Sequence, residues 1–211
     1  MKKTDPPIHV LIVDDHPVVR EGCRHLLEAG GDIRVVAEAD DGRQAYTAFI
    51  RHRPEVVIMD ISLPHNSGLD VLDRMLQREP DARILVFSMH ENPLMMQRAR
   101  EAGARGYLCK RNAPRQLLKV VRKIARGGEY FDSQLDPEEP GMADPVQLLT
   151  QREFEVFLLL AQGRSIRRIA ELLNISSKTA GVHQTRIMHK IHAESTAQVA
   201  RLAIRHGLVL P

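Results

Sequence analysis

The sequence predicts an α/β chain: a five-stranded, doubly wound parallel sheet followed by a small all-α domain of four helices. Three observations predict it. Short aliphatic runs alternate with helical periodicities over residues 1–130. A stretch rich in Pro and acid, 131–147, then interrupts both patterns. The remainder, 148–211, carries only helical patterns and their end signals.

The elements follow in order. Strands are expected at residues 8–13, 33–37, 56–59, 84–87 and 106–108. Apart from His9 and Arg34 these runs are apolar rather than alternating, which marks strands covered on both faces. Helical patterns lie between and after them, at about 17–29, 42–52, 67–78, 93–102 and 114–126. In the first, Val18, Val19, Leu26 and Leu27 recur at helical spacing; in the last, Leu117, Leu118, Val121, Ile124 and Ala125 do. The segment 131–147 has five Asp/Glu and no Lys/Arg, and reads as a linker. Beyond it, Thr150 with Glu153 three residues on is a capping-box signature. The helix it opens is apolar on more than one face and stops at Gly163. A second helix restarts at Ser165 and runs to about 173, and Asn174-Ile175-Ser176 is a turn. A third helix at about 177–190 is capped by Ser176 or Ser177, and a last one spans about 195–206.

Composition removes several function classes. Hydrophobic residues make up 43% and charged residues 27% of the 211, a globular balance that argues against bulk disorder. Aromatics are 4% and Trp is absent, so a base-stacking platform for single strands is not expected. Two cysteines, Cys23 and Cys109, have no metal-ligand spacing and read as reduced core thiols of a cytoplasmic protein. The longest apolar run, about 156–161, is far short of the ~18 residues that span a bilayer, and residues 1–7 do not form a signal peptide. No membrane partner is expected. The net charge of +3 is unevenly spread: +3 over residues 1–130, −5 over 131–147 and +5 over 148–211. A basic module beside an acidic linker suggests nucleic-acid binding.

In a parallel sheet, ligands sit outside the carboxyl ends of the strands. The first expected strand is followed by Asp14-Asp15, the third by Asp60, the fourth by Ser88 and the fifth by Cys109-Lys110. Each alone has a dull explanation as a cap, loop or surface residue. Together they put three carboxylates, a hydroxyl and an ammonium at one rim. Two carboxylates about 4 Å apart repel by roughly 4 kcal/mol at an effective dielectric of 20, so three need a cation. Mg²⁺ suits a site with few carboxylates, several waters and a phosphate. A carboxylate beside Mg²⁺, a hydroxyl and a lysine can attack a phosphoryl group and hold the resulting acyl phosphate.

The pattern Asp14-Asp15, Asp60-Ile61-Ser62-Leu63-Pro64, Gly68, Ser88 and Lys110 resembles the receiver domain of two-component response regulators, a flavodoxin-like fold, over roughly residues 8–128. The resemblance implies that Asp60 is the phosphoacceptor. It implies that Asp14, Asp15, Asp60 and the backbone carbonyl of Ser62 hold Mg²⁺. Ser88 would bond a phosphoryl oxygen, Lys110 would pair with the phosphate, and Tyr107 matches the family's switch aromatic. There are departures: Leu63 stands for a common Met, residues 65–67 read His-Asn-Ser, and Arg111 follows Lys110 where many receivers have Pro. Ser62 and His90 occupy positions that tune the phosphoryl lifetime in the family.

In the expected helix at 177–190, Ala180, Ile187 and Ile191 form an inward stripe, while Lys178, Gly181, Val182, Thr185, Arg186 and His189 lie on the other side. A short helix, a tight turn and a second helix with polar and basic residues is the DNA-reading arrangement. Leu149-Thr150-Gln151-Arg152-Glu153, Gln162-Gly163, Ile169-Ala170, Lys178-Thr179, Val182-His183 and Lys190-Ile191 resemble the LuxR-type helix-turn-helix over residues 148–211. With the receiver, this is similar to the NarL/FixJ class of response regulators. By that resemblance Lys178, Thr179 and His183 touch phosphates of double-stranded DNA, while Gly181, Val182, Thr185 and Arg186 face bases. Gly181 stands where many relatives carry Lys or another long polar residue, and Ala180 where Val is usual.

The expectation is therefore a cytoplasmic transcriptional regulator of a bacterial two-component system, with a receiver over 1–130, a linker over 131–147 and a DNA-binding domain over 148–211. Its implied partners are a sensor histidine kinase, double-stranded DNA, a second copy in an active homodimer, and RNA polymerase. It is not expected to be an enzyme beyond slow self-dephosphorylation. One rival is an aspartate-based phosphohydrolase, against which stands the lack of a cap domain or second general acid. Another is a regulator acting by protein interaction or without phosphorylation, with weakened DNA reading.

Overall fold

A computed structural model describes residues 6–63, 68–89, 92–131 and 145–209. It resolves into two compact units, the first within residues 1–136 and the second centred on 137–211. Most of the expected linker, 132–144, lies outside the described residues, as do Pro64, His65–Ser67 and His90.

The first unit holds β1 (Ile8–Val13), β2 (Ile33–Ala39), β3 (Val56–Asp60), β4 (Ile84–Ser88) and β5 (Gly106–Cys109). Between and after them run α1 (Pro17–Glu28), α2 (Gly42–His52), α3 (Gly68–Arg78), α4 (Pro93–Glu101) and α5 (Ala113–Ala125). All strand pairs are parallel, in the order β2-β1-β3-β4-β5. The unbroken apolar runs have their physical reason here, because β3, β4 and β5 are buried along their full length. Alternate residues serve opposite faces. On one face Val10, Ile12, Ile58, Leu85, Phe87 and Leu108 meet Cys23 and Leu27 of α1 and Leu117, Val121 and Ile124 of α5. On the other, α2 and α3 pack against each other.

β1 ends where expected, and the other four strands run slightly past their expected ends. β2 continues through Glu38, a charge the apolar pattern excludes. Glu38 Oε2 accepts from Arg20 Nε at 3.2 Å, and its other oxygen lies 3.0 Å from Arg24, so two guanidiniums of α1 offset its charge. β3 and β4 take in Asp60 and Ser88 themselves, which places both residues on the sheet's rigid edge rather than in a loop.

The second unit is α6 (Gln151–Ala161), α7 (Ile166–Leu172), α8 (Ser177–Lys190) and α9 (Thr196–Arg205), preceded by a short 3-10 turn, Pro145–Leu148. α6 packs on α8 and α9, and α7 on α8. Phe154 and Phe157 of α6 are buried with ring centroids 6.0 Å apart, within an otherwise aliphatic core. Each helix begins on a hydroxyl: Thr150, Ser165, Ser176 and Ser195 accept from a backbone N–H three residues on. Gly163 ends α6 at φ +74°, with its own N–H donating to Leu160 O and that of Arg164 to Leu159 O. Asn174 makes the same left-handed turn after α7, so the tight turn before α8 is built from the chain's own end signals.

Glu153 has two structural tasks. Its carboxylate accepts from the Thr150 N–H at 2.8 Å, closing the capping box, and from Lys190 Nζ at 2.6 Å, tying α6 to the end of α8. Burial opposes its charge, but the bonds from Lys190 and Thr150 outweigh that and hold the carboxyl below its ordinary value. Its folded pKa is thus depressed, so its contribution to stability is present above about 4.5 and is lost as pH falls through the lower folded value. Glu153→Gln is expected to lower the melting temperature at pH 7 and to flatten the acid-side fall in stability. Thermal unfolding followed by circular dichroism across pH 3–7 checks both (the range spans roughly the carboxylate titration). A melting curve whose pH dependence is unchanged counts against the pairing.

Candidate functional site

β1 and β3 are the neighbours on either side of the point where the strand order reverses, and Val13 lies opposite Met59. Ligands bind such sheets at that crevice. Asp14 follows β1 and Asp60 ends β3; both are buried, at 0% and 2% exposure. Lys110, first residue of the 3-10 turn Lys110–Asn112 after β5, reaches back across the rim. Its Nζ lies 2.6 Å from Asp60 Oδ2, to which it donates, and 2.6 Å from Asp14 Oδ2, an ion pair by distance without hydrogen-bond alignment. It also lies 5.7 Å from the centroid of the Phe87 ring.

The rest of the rim orients these charges. The Ser62 N–H donates to Asp60 Oδ1 at 2.8 Å, while the Ser62 side chain is exposed. The His16 N–H donates to Asp14 Oδ1 at 2.9 Å, and Arg20 donates to the Asp14 carbonyl at 2.6 Å. Burial pushes the Asp60 carboxyl above its ordinary value, against the pull of Lys110. Burial alone would lower Lys110, but the charge of Asp60 and the close approach of both carboxylates hold its ammonium above the usual range. Burial and the nearby Asp14 push the Cys23 thiol up to about 12, so it stays a neutral core group.

Ser88 ends β4 fully buried, opposite Cys109 in the β4–β5 register. Tyr107 is 1% exposed within β5. Asp15 is partly exposed, 2.6 Å from His16 Nδ1. His16 was not among the expected residues. Asp14, Asp15, His16 and Asp60 each bring one ligand atom to within 4.8 Å of the others, so the imidazole joins the acidic cluster. Its signal was the position next to Asp15, at the start of α1, where the chain turns back over the rim. Three carboxylates in a half-buried cleft are hard oxygen donors and fit a divalent cation.

A second candidate surface lies on α8. Ala180 and Ile187 are fully buried and Ile191 nearly so, which fixes the helix's rotation. Lys178, Thr179, Val182, Thr185, Arg186 and His189 are exposed, while Gly181 and His183 are half-buried. The Thr179 N–H and hydroxyl both engage Ser176 Oγ, at 3.0 and 2.8 Å, as part of the cap. Burial, with Arg152 next in effect, holds the His183 imidazole below its usual range, so it is neutral at pH 7.

Two glycines at these sites differ in what surrounds them. A Cβ on Gly68 would meet the Asp60 carbonyl and sit 2.6 Å from Ile61 Cα, and the Gly68 N–H donates to Ile61 O at 3.2 Å. Gly68→Ala is expected to displace the Asp60–Ser62 segment and cost about 1–3 kcal/mol, read by denaturant unfolding. A Cβ on Gly181 would meet nothing within 4 Å. Gly181→Ala is expected to stabilise α8 by about 1 kcal/mol, read as a higher melting temperature. No change, or a loss, would mean the open space is filled.

Comparison with known proteins accords with both surfaces. Residues 10–122 match the response regulator receiver domain, and residues 147–203 match the bacterial regulatory proteins of the luxR family. The chain is 39% identical over 208 residues to the transcriptional activator protein ExaE of Pseudomonas putida, covering 95% of this chain and 97% of that one. It is 35% identical over 211 residues to the response regulator UvrY of Escherichia coli K12, covering 95% of each. Among solved structures it is similar to RcsB of Salmonella enterica serovar Typhimurium bound to promoter rprA in the presence of phosphomimetic BeF3−, with 26% identity, a TM-score of 0.71, and coverage of 93% of this chain and 98% of that one. Among the described residues no helix is long and apolar enough to cross a membrane. The chain belongs to the two-component response regulators that join a receiver domain to a LuxR-type DNA-binding domain, and so to the regulators of transcription.

Proposed function

We propose that this response regulator is switched by phosphorylation of Asp60 and acts by binding double-stranded DNA through α8. The observation that carries the reading is the buried Asp60 carboxylate, held by the Ser62 N–H and paired with Lys110 at 2.6 Å beside a second buried acid. An Asp60 oxygen attacks phosphorus, an acyl phosphate forms, and the donor's leaving group departs with the electron pair of the broken bond. A phosphohistidine on a sensor histidine kinase is the donor that the family supplies.

Asp14, Asp15 and Asp60, with the Ser62 carbonyl, are the groups that would hold Mg²⁺, whose charge would offset that of the phosphoryl oxygens. Lys110 would pair with the phosphoryl group once its hold on Asp60 changes, and the Ser88 hydroxyl would donate to a phosphoryl oxygen. Tyr107, already buried, is the aromatic whose packing would respond to a shift of Ser88. Slow self-dephosphorylation is the sole catalysis we assign. The receiver spans 1–130 and the DNA-binding domain 148–211, joined by the linker 131–147.

On α8, Lys178, Thr179 and His183 would meet phosphates, while Gly181, Val182, Thr185 and Arg186 would face base edges. RcsB dimers are seen bound to DNA, which supports a homodimer here in the active state. Contact with RNA polymerase and a cytoplasmic site of action complete the proposal.

Incubation with acetyl phosphate and Mg²⁺, followed by intact-protein mass spectrometry, tests the switch. The wild type is expected to gain one phosphoryl group and Asp60→Asn none. DNA affinity is expected to rise on phosphorylation by about 5–150-fold, an ordinary coupling between two sites. Asp60→Asn accepting phosphate at the wild-type rate would overturn the assignment.

A further inference from the structure

We infer that α8 reads guanine through Arg186 and thymine methyl groups through Val182 and Thr185, and reads no base at Gly181. This rests on the DNA-binding reading above and gives that surface a specific chemistry.

The inward stripe of Ala180 and Ile187 leaves Val182, Thr185, Arg186 and His189 turned outward together. Gly181, at the edge of that face, offers no side chain, and the space a Cβ would enter is open. Val182 is 44% exposed, an isopropyl group in a position where burial gives it nothing to pack on. The Thr185 hydroxyl donates to the Gly181 carbonyl at 3.1 Å. Its one O–H is thereby used within the helix, and the methyl is the part left facing out. Arg186 is exposed and makes no hydrogen bond or ion pair among the described residues, so all five of its donors are available.

Major-groove chemistry matches this set to particular bases. The thymine C5-methyl is an apolar group on a base edge, and it suits an isopropyl and a methyl. Guanine O6 and N7 are two adjacent acceptors, and they suit a guanidinium fork. Adenine needs a side chain that both donates and accepts. The one amide of α8, Gln184, is half-buried and lies beside Ala180 and Ile187 on the helix circumference. Cytosine needs an outward acceptor; Val182 and Arg186 present none, and the Thr185 oxygen is turned toward the Gly181 carbonyl. His189 sits in the last turn, beyond the N-terminal part of the helix that enters the groove.

The test is selection of duplexes from a randomised library by the full chain, with and without acetyl phosphate and Mg²⁺. Titrations then follow on the enriched duplex with each guanine replaced by 7-deazaguanine and each thymine by uracil. The expected half-site contains a guanine whose replacement weakens the wild type by about 5–150-fold and leaves Arg186→Ala unmoved. Uracil for thymine weakens the wild type and has less effect on Val182→Ala. Gly181→Lys selects a half-site with one additional fixed base position. If an enriched site tolerates both base replacements, the code is overturned while DNA reading stands. If no duplex is enriched in either condition, both are overturned.

Discussion

One ammonium between two buried carboxylates governs the receiver. Asp14 and Asp60 come from adjacent strands, and taking both from water without a cation would cost several kcal/mol. Lys110 supplies that cation at 2.6 Å from each. It arrives from the far side of β4, so the order β3-β4-β5 and the length of β5 must be held for the three charges to meet. The full burial of β3, β4 and β5 serves this requirement, because strands that slip by one residue would turn these side chains to the other face. The triad still carries a net negative charge, and Asp15 adds to it. The site is therefore built short of positive charge, which is the electrostatic condition for taking up a divalent ion and an anionic group together.

Much of this was legible in the sequence because it is local. An apolar run without alternation identifies a doubly covered strand, and the residue after it identifies the rim. Thr150 and Glu153 announce a capping box by spacing alone, and the structure contains it. The residues that escaped were decided by distance along the chain rather than by pattern. Glu153 and Lys190 are paired across 37 positions, so no window on the sequence joins them. Glu38 extends β2 despite its charge because Arg20 and Arg24 are on a helix that folds over it. His16 belongs to the acidic cluster because α1 begins there and turns its ring back, whereas the sequence gives only its adjacency to Asp15. The degree of burial of Tyr107 is likewise a property of the finished sheet.

The second unit divides its labour by helix face. The α6 and α9 contacts and the inward stripe of α8 provide stability, and each helix is closed by its own hydroxyl cap. That arrangement leaves the outward face of α8 free of structural duty. Lys178, Val182 and Arg186 can differ in size and charge without disturbing Ala180 or Ile187. Only Thr185 turns its polar group inward onto the helix, and Thr179 gives its own to the cap.

Gly68 and Gly181 show why the residue type alone does not identify a constraint. At Gly68 a side chain has no room, because the Asp60 carbonyl and the Ile61 backbone occupy the place of the Cβ. The glycine there is required by the close approach of α3 to the segment that carries the acidic site. At Gly181 the backbone is helical, the space is open, and alanine would suit the helix better by about 1 kcal/mol. Nothing inside the domain explains that cost. Gly181 lies beside the outward surface that Val182, Thr185 and Arg186 define. On the proposed DNA-reading role of α8, a missing side chain beside that surface leaves one base edge unread and places the discrimination on its three neighbours.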